Sequence, residues 1–121
     1  MKKRTLVVGA SLKPERYSNM AVKRLLQHQH PVIAFGNEEG KIGETSIITE
    51  FPSREENIDT VTLYLNPKRQ EAYYDAILGL KPKRIIFNPG TENPILEQLA
   101  QQQGIATQEA CTLVLLSVGS Y

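Results

Sequence analysis

Thr5-Leu6-Val7-Val8-Gly9-Ala10-Ser11 is the stretch on which the fold turns. An apolar run without polar alternation, closed by a glycine, reads as a parallel strand buried on both faces. The glycine allows a turn in which backbone amides come close to a ligand. The lead-in Met1-Lys2-Lys3-Arg4 is basic like the start of a signal peptide. However, the apolar run from Leu6 to Ala10 is too short for a signal core or a bilayer span. The lead-in therefore reads as solvated.

Outward from this strand, Ser11 to Ser18 is polar and carries Pro14. Asn19 to Gln29 follows with helical spacing, placing Val22, Leu25 and Leu26 on one face, with Ser18 or Asn19 as cap. Pro31 to Phe35 is a second apolar run, and Asn37 to Gly43 reads as a loop. Ser46 to Thr49 suggests a short edge strand, and Pro52 to Asn57 a turn or short helix. Thr60 to Leu65 is rich in β-branched residues and reads as a strand.

Asn66-Pro67 is a cap followed by a proline suited to the first helical position. Tyr73, Tyr74, Ile77 and Leu78 form the apolar stripe of that helix, which ends at Gly79 and Pro82. Lys83 to Phe87 is another strand. Asn93-Pro94 repeats the helix start, Ile95, Leu96, Leu99 and Ala100 line the helix, and Gly104 stops it. Ile105 to Gln108 is a short strand, and Leu113 to Val118 is compatible with helix or strand.

Strands alternating with helices in units of roughly 25–30 residues imply βαβ construction. The expected fold is α/β and Rossmann-like. It has a mostly parallel sheet of about five to six strands, with helices on both faces. Residues 1–121 read as one domain.

Composition narrows the function classes. The 14 basic and 13 acidic residues leave a net charge of +1, which offers no bulk attraction to nucleic acid or membrane. Cys111 is the single cysteine. It cannot form an intrachain disulfide, and this suits a reducing, cytoplasmic setting.

In an open parallel sheet, ligands bind beyond the carboxyl ends of the strands, at the switch point of strand order. The segments there are Gly9-Ala10-Ser11, Phe35-Gly36-Asn37, Leu65-Asn66-Pro67 and Asn88-Pro89-Gly90. Lys13, Arg16 and Lys41 lie on neighbouring loops, where they could neutralise phosphates. The dinucleotide fingerprint G-x-G-x-x-G is absent after the first strand. So is the acid that usually meets the ribose of NAD directly after the second. Glu38 and Glu39 come later and read as a solvated loop.

V-V-G-A-S at Val7 to Ser11, then Pro14, Arg16 and Ser18 before a helix, resembles the small CoA-binding domain proteins. These are similar to the N-terminal domain of the succinyl-CoA synthetase alpha subunit. The likeness continues through Ile42-Gly43-Glu44, Thr60 to Leu65 with Pro67, Pro89-Gly90 with Asn93, Gly104 and Cys111. The resemblance implies a Rossmann-like fold that binds coenzyme A. By position, Gly9, Ala10, Ser11 and Lys13 would cradle the pyrophosphate. Phe35, Gly36 and Asn37 would contact the adenosine. Leu65, Asn66 and Pro67, with Asn88, Pro89 and Gly90, would wall the pocket.

Catalytic groups do not stand out. His28 and His30 sit at the end of the first helix, where a cationic imidazole would favour the helix dipole. There is no clustered Cys/His set for zinc and no paired carboxylates for acid–base work. Cys111 reads first as a small buried hydrophobe, and second as a thiol able to form a mixed disulfide with coenzyme A. The expected role is non-catalytic CoA or acyl-CoA binding, as sensor, carrier or accessory module. The alternatives are a small NAD(P)- or nucleotide-dependent enzyme, or a Rossmann interaction domain without ligand. The apolar tail Leu113 to Val118 could finish the core or cover a contact with a protein partner or a second copy.

Overall fold

The computed structural model describes residues 2–121, so Met1 of the basic lead-in lies outside the described residues. Strand β1, Thr5–Val8, is buried at every position. Successive side chains point to opposite faces of a sheet. Accordingly, Leu6 and Val8 enter one core cluster and Val7 the other. β1 pairs in parallel with β2, Val32–Phe35, on one side and with β5, Thr60–Leu63, on the other. β6, Arg84–Phe87, and β7, Ala106–Glu109, extend the sheet beyond β5.

Beyond β2 the sheet holds more than the expected five to six strands, seven in the order β3-β4-β2-β1-β5-β6-β7. β3, Gly40–Ile42, falls where a loop was expected. It folds back antiparallel on β4, Thr45–Ile48. The two are joined through Gly43 at φ +60°, the positive φ a tight two-residue hairpin turn requires. β4 is therefore not an edge strand, since it also pairs in parallel with β2.

Helix α1, Tyr17–Gln27, packs Val22 and Leu25 onto the face that carries Val7, alongside Leu116 of α5, Thr112–Ser117. The apolar tail is thus a helix. Leu26 faces outward. α2, Pro67–Gln70, leads towards α3, Tyr74–Gly79, which with α4, Pro94–Gln102, covers the opposite face. The single helix expected after Pro67 is thus broken by a 3-10 turn at Glu71–Tyr73. On α4, Leu96 and Ala100 are buried, but Ile95 is 62% exposed and leaves the expected stripe.

Asn66 and Asn93 cap their helices as expected, each accepting a hydrogen bond from a backbone N–H three residues on. The cap of α1 differs. Arg16 takes that position with no side-chain bond, and Ser18 and Asn19 lie buried inside the helix.

His28 ends α1 as expected, whereas His30 departs from expectation. His30 is buried, and its Nδ1 accepts a hydrogen bond from the Lys3 backbone N–H at 3.0 Å. Burial, then the charges of Lys2, His28 and Lys3, push its pKa below the ordinary value of 6.5. Its surroundings therefore disfavour the cation that would complement a helix end. A depressed folded-state pKa means that the unfolded chain takes up the proton first. Stability is therefore fully present above about pH 6.5 and falls as pH drops through the folded value. A Tm series from pH 7.5 to 5 should show this decline, and His30→Asn should flatten it.

Candidate functional site

The strand order reverses between β1 and β5, because the chain builds outward through β2 and β4 before returning to β5. A cavity of about 720 Å³ opens there, beyond the carboxyl ends of the strands. Its floor is the turn after β1. Gly9, at φ +96°, adopts a backbone conformation that side chains disfavour. The amides of Gly9 and Ala10 both donate to the Phe35 carbonyl at 2.9 Å. The two amides expected to cradle phosphate are therefore committed to the sheet.

Ser11 and Lys13 line the cavity, together with Arg16, Tyr17 and Ser18 at the start of α1. The Ser11 hydroxyl accepts from the Lys13 N–H at 3.2 Å, and the Asn19 side chain donates to the Ser11 carbonyl at 2.9 Å. Asn19, expected as a cap, instead braces the turn. The first amides of a helix have no partner within it. On α1 those of Tyr17 and Ser18 belong to cavity-lining residues and have no side-chain cap.

Phe35, Gly36 and Asn37 follow on the wall at the end of β2, and Glu38 joins them. Gly36 sits so close to the first turn that a Cβ there would lie 2.4 Å from the Ala10 carbonyl oxygen. Phe35 packs edge-on against Phe51 and Tyr73, with ring centroids 5.0 and 5.4 Å away. Tyr73 reaches the cavity wall, giving it an aromatic side.

Leu65 and Asn66 complete the wall after β5, and Pro89 and Gly90 after β6. Three expected site residues lie elsewhere. Lys41 is exposed on the outermost strand β3, which draws it away from the cavity. Pro67 starts α2 behind Asn66. Asn88 is buried and fully used. It donates to Thr62 Oγ1 and the Leu63 carbonyl and accepts from the Thr112 N–H. Cys111 is half-buried at the start of α5 and does not line the cavity.

Other contributors carried no sequence signal. Arg69, in the first turn of α2 after Asn66, lies on the wall. Gln70 is fully buried and ties two site loops together. Its amide donates to the Leu65 and Thr91 carbonyls at 2.8 Å and accepts from Asn93 at 2.9 Å. Tyr64 also lines the cavity, and its buried hydroxyl makes no hydrogen bond. Burial raises the pKa of this phenol well above its ordinary value of 10.0, so at neutral pH it can donate a proton to a hydrogen bond but not act as a base.

Among the described residues no group of three or more His, Cys, Asp or Glu side chains could hold a metal ion. Nor is any helix among them long and apolar enough to cross a membrane.

A family model described as "CoA binding domain" matches residues 3–117. No curated protein matches the chain. The fold is similar to the crystal structure of an uncharacterized protein that is 45% identical, with 100% of this chain and 99% of that one covered at a TM-score of 0.94. It is also similar to a hypothetical protein from Pyrococcus horikoshii OT3, 27% identical over 93% of this chain and 80% of that one, at a TM-score of 0.78. A Thermus thermophilus protein, 17% identical, shares the fold over 99% of this chain and 91% of its own, at a TM-score of 0.87.

Proposed function

The chain belongs to the CoA binding domain family, and on that premise we propose that it binds coenzyme A in the cavity at the switch point, as a non-catalytic module. One observation carries this reading: the uncapped start of α1 opens on that cavity, with Lys13, Arg16 and Arg69 around it. Helix N-termini favour anions, and guanidinium groups pair with phosphate oxygens. A bound diphosphate would supply the cap that the sequence omits. The aromatic side at Phe35 and Tyr73 suits an adenine ring, and the volume suits an extended cofactor. In this reading the module serves as a sensor, carrier or accessory subunit.

Calorimetric titration with CoA, with NADH and ATP as controls, tests the reading. Saturable binding of CoA supports it. NADH or ATP bound in place of CoA would move a nucleotide-dependent enzyme to the front. Silence from all three would leave an interaction domain.

The cations give a finer expectation. Arg69→Ala should weaken CoA about fivefold at low salt and reduce the salt dependence of binding. Lys68→Ala should do neither, since Lys68 lies off the wall and pairs with Glu71 at 3.5 Å. Both variants should melt within about 2 °C of the parent, as exposed substitutions do.

A further inference from the structure

The end of β2 carries charges of both signs, and the fold separates them. Lys41, the nearest cation along the chain, is carried onto the outer strand and exposed. Glu38 stands on the cavity wall next to Gly36 and Asn37, whereas Glu39 does not. The cations of the cavity belong to other segments. Lys13 and Arg16 lie between β1 and α1, and Arg69 lies on α2.

In doubly wound folds the diphosphate sits at the first helix and the adenosine ribose at the end of the second strand, where a carboxylate meets the ribose hydroxyls. Coenzyme A carries a phosphate on the 3′ oxygen of that ribose. A phosphate monoester holds about 1.5 to 2 negative charges at neutral pH. Next to Glu38 it would meet a like charge, whereas a free diol would find an acceptor.

We propose that Glu38 makes this cavity selective for an adenosine diphosphate with an unphosphorylated ribose, namely dephospho-coenzyme A in preference to coenzyme A. The inference rests on the reading of the cavity as a CoA site. NAD presents the same diol. However, the turn after β1 has Gly9 as its only glycine and lacks the close-packed fingerprint of dinucleotide sites. The pantetheine form is therefore the one expected.

The test is a set of parallel titrations with dephospho-CoA, CoA and NADH, on the parent chain, Glu38→Gln and Glu39→Gln. At low salt, dephospho-CoA should bind the parent about tenfold tighter than CoA, as expected for a carboxylate near a dianion across a few ångströms of water. Salt should shrink that ratio. Glu38→Gln should bring it close to one, mainly by improving CoA binding, and Glu39→Gln should leave it unchanged. CoA binding as tightly as dephospho-CoA, or a ratio indifferent to Glu38→Gln, would overturn the selectivity and leave the CoA site standing. NADH binding more tightly than both would overturn the pantetheine assignment. No binding of either pantetheine ligand would remove the CoA reading, and the selectivity with it.

Discussion

Gly36→Ala should lose about 3 kcal/mol of stability and most of its affinity for coenzyme A. The new methyl would stand 2.4 Å from the Ala10 carbonyl oxygen and 3.1 Å from Ile47 Cγ2. The oxygen cannot retreat cheaply. Ala10 is tied through its own N–H to the Phe35 carbonyl, and the Gly36 N–H is tied to the Ile48 carbonyl at 3.0 Å. Relief must come from parting the turn after β1 from the end of β2, and those segments form one corner of the cavity. A fall in Tm of roughly 10 °C is expected for a domain of this size. Gly79→Ala is the matching control. A Cβ there meets nothing within 4 Å, so the substitution should be neutral or stabilising by up to about 1 kcal/mol. Equal melting of the two variants would refute the steric account.

Asn88→Ala should cost about 3 kcal/mol, because it strips partners from several buried groups at once. The Asn88 amide donates to Thr62 Oγ1 at 2.6 Å and to the Leu63 carbonyl at 2.9 Å, and its oxygen accepts from the Thr112 N–H at 2.8 Å. The Thr62 hydroxyl keeps its contact with Thr112 Oγ1. The Leu63 carbonyl and the Thr112 N–H would be left without the amide. Because Asn88 does not line the cavity, residual CoA affinity measured well below the Tm should stay within about threefold of the parent. Denaturant melts with ligand titrations separate the two effects. A large loss of affinity at unchanged stability would mean that Asn88 contacts ligand after all.

Much of the architecture was legible because apolar runs carry it. β1, β2, β5 and β6 are short, nearly continuous and flanked by turn residues, and Asn66-Pro67 and Asn93-Pro94 announce helix starts directly. The hairpin of β3 was hidden because only Gly40-Lys41-Ile42 forms the strand, too short for its alternation to stand out. The cost of that omission fell on the site, since Lys41 was expected among the phosphate-neutralising cations. The break at Glu71–Tyr73 was hidden as well, because Tyr73, Tyr74, Ile77 and Leu78 keep a helical spacing through it. Gln70 could not be found from periodicity, because its importance lies in hydrogen bonds to Leu65, Thr91 and Asn93, segments distant in sequence. The turn after β1 was located correctly, but which of its amides are free depends on the Phe35 carbonyl across the sheet. Such pairing is a property of register, not of local sequence.

The central claim is that coenzyme A occupies the carboxyl-end cavity with its diphosphate at the start of α1. The amide spectrum of isotopically labelled protein, followed by NMR during a CoA titration, tests it most directly. The account predicts the largest shifts at Ser11, Lys13, Tyr17 and Ser18, with smaller ones at Gly36 and Asn66. Shifts confined to the basic groove at the opposite ends of the strands, around Lys2, His28 and His30, would contradict it.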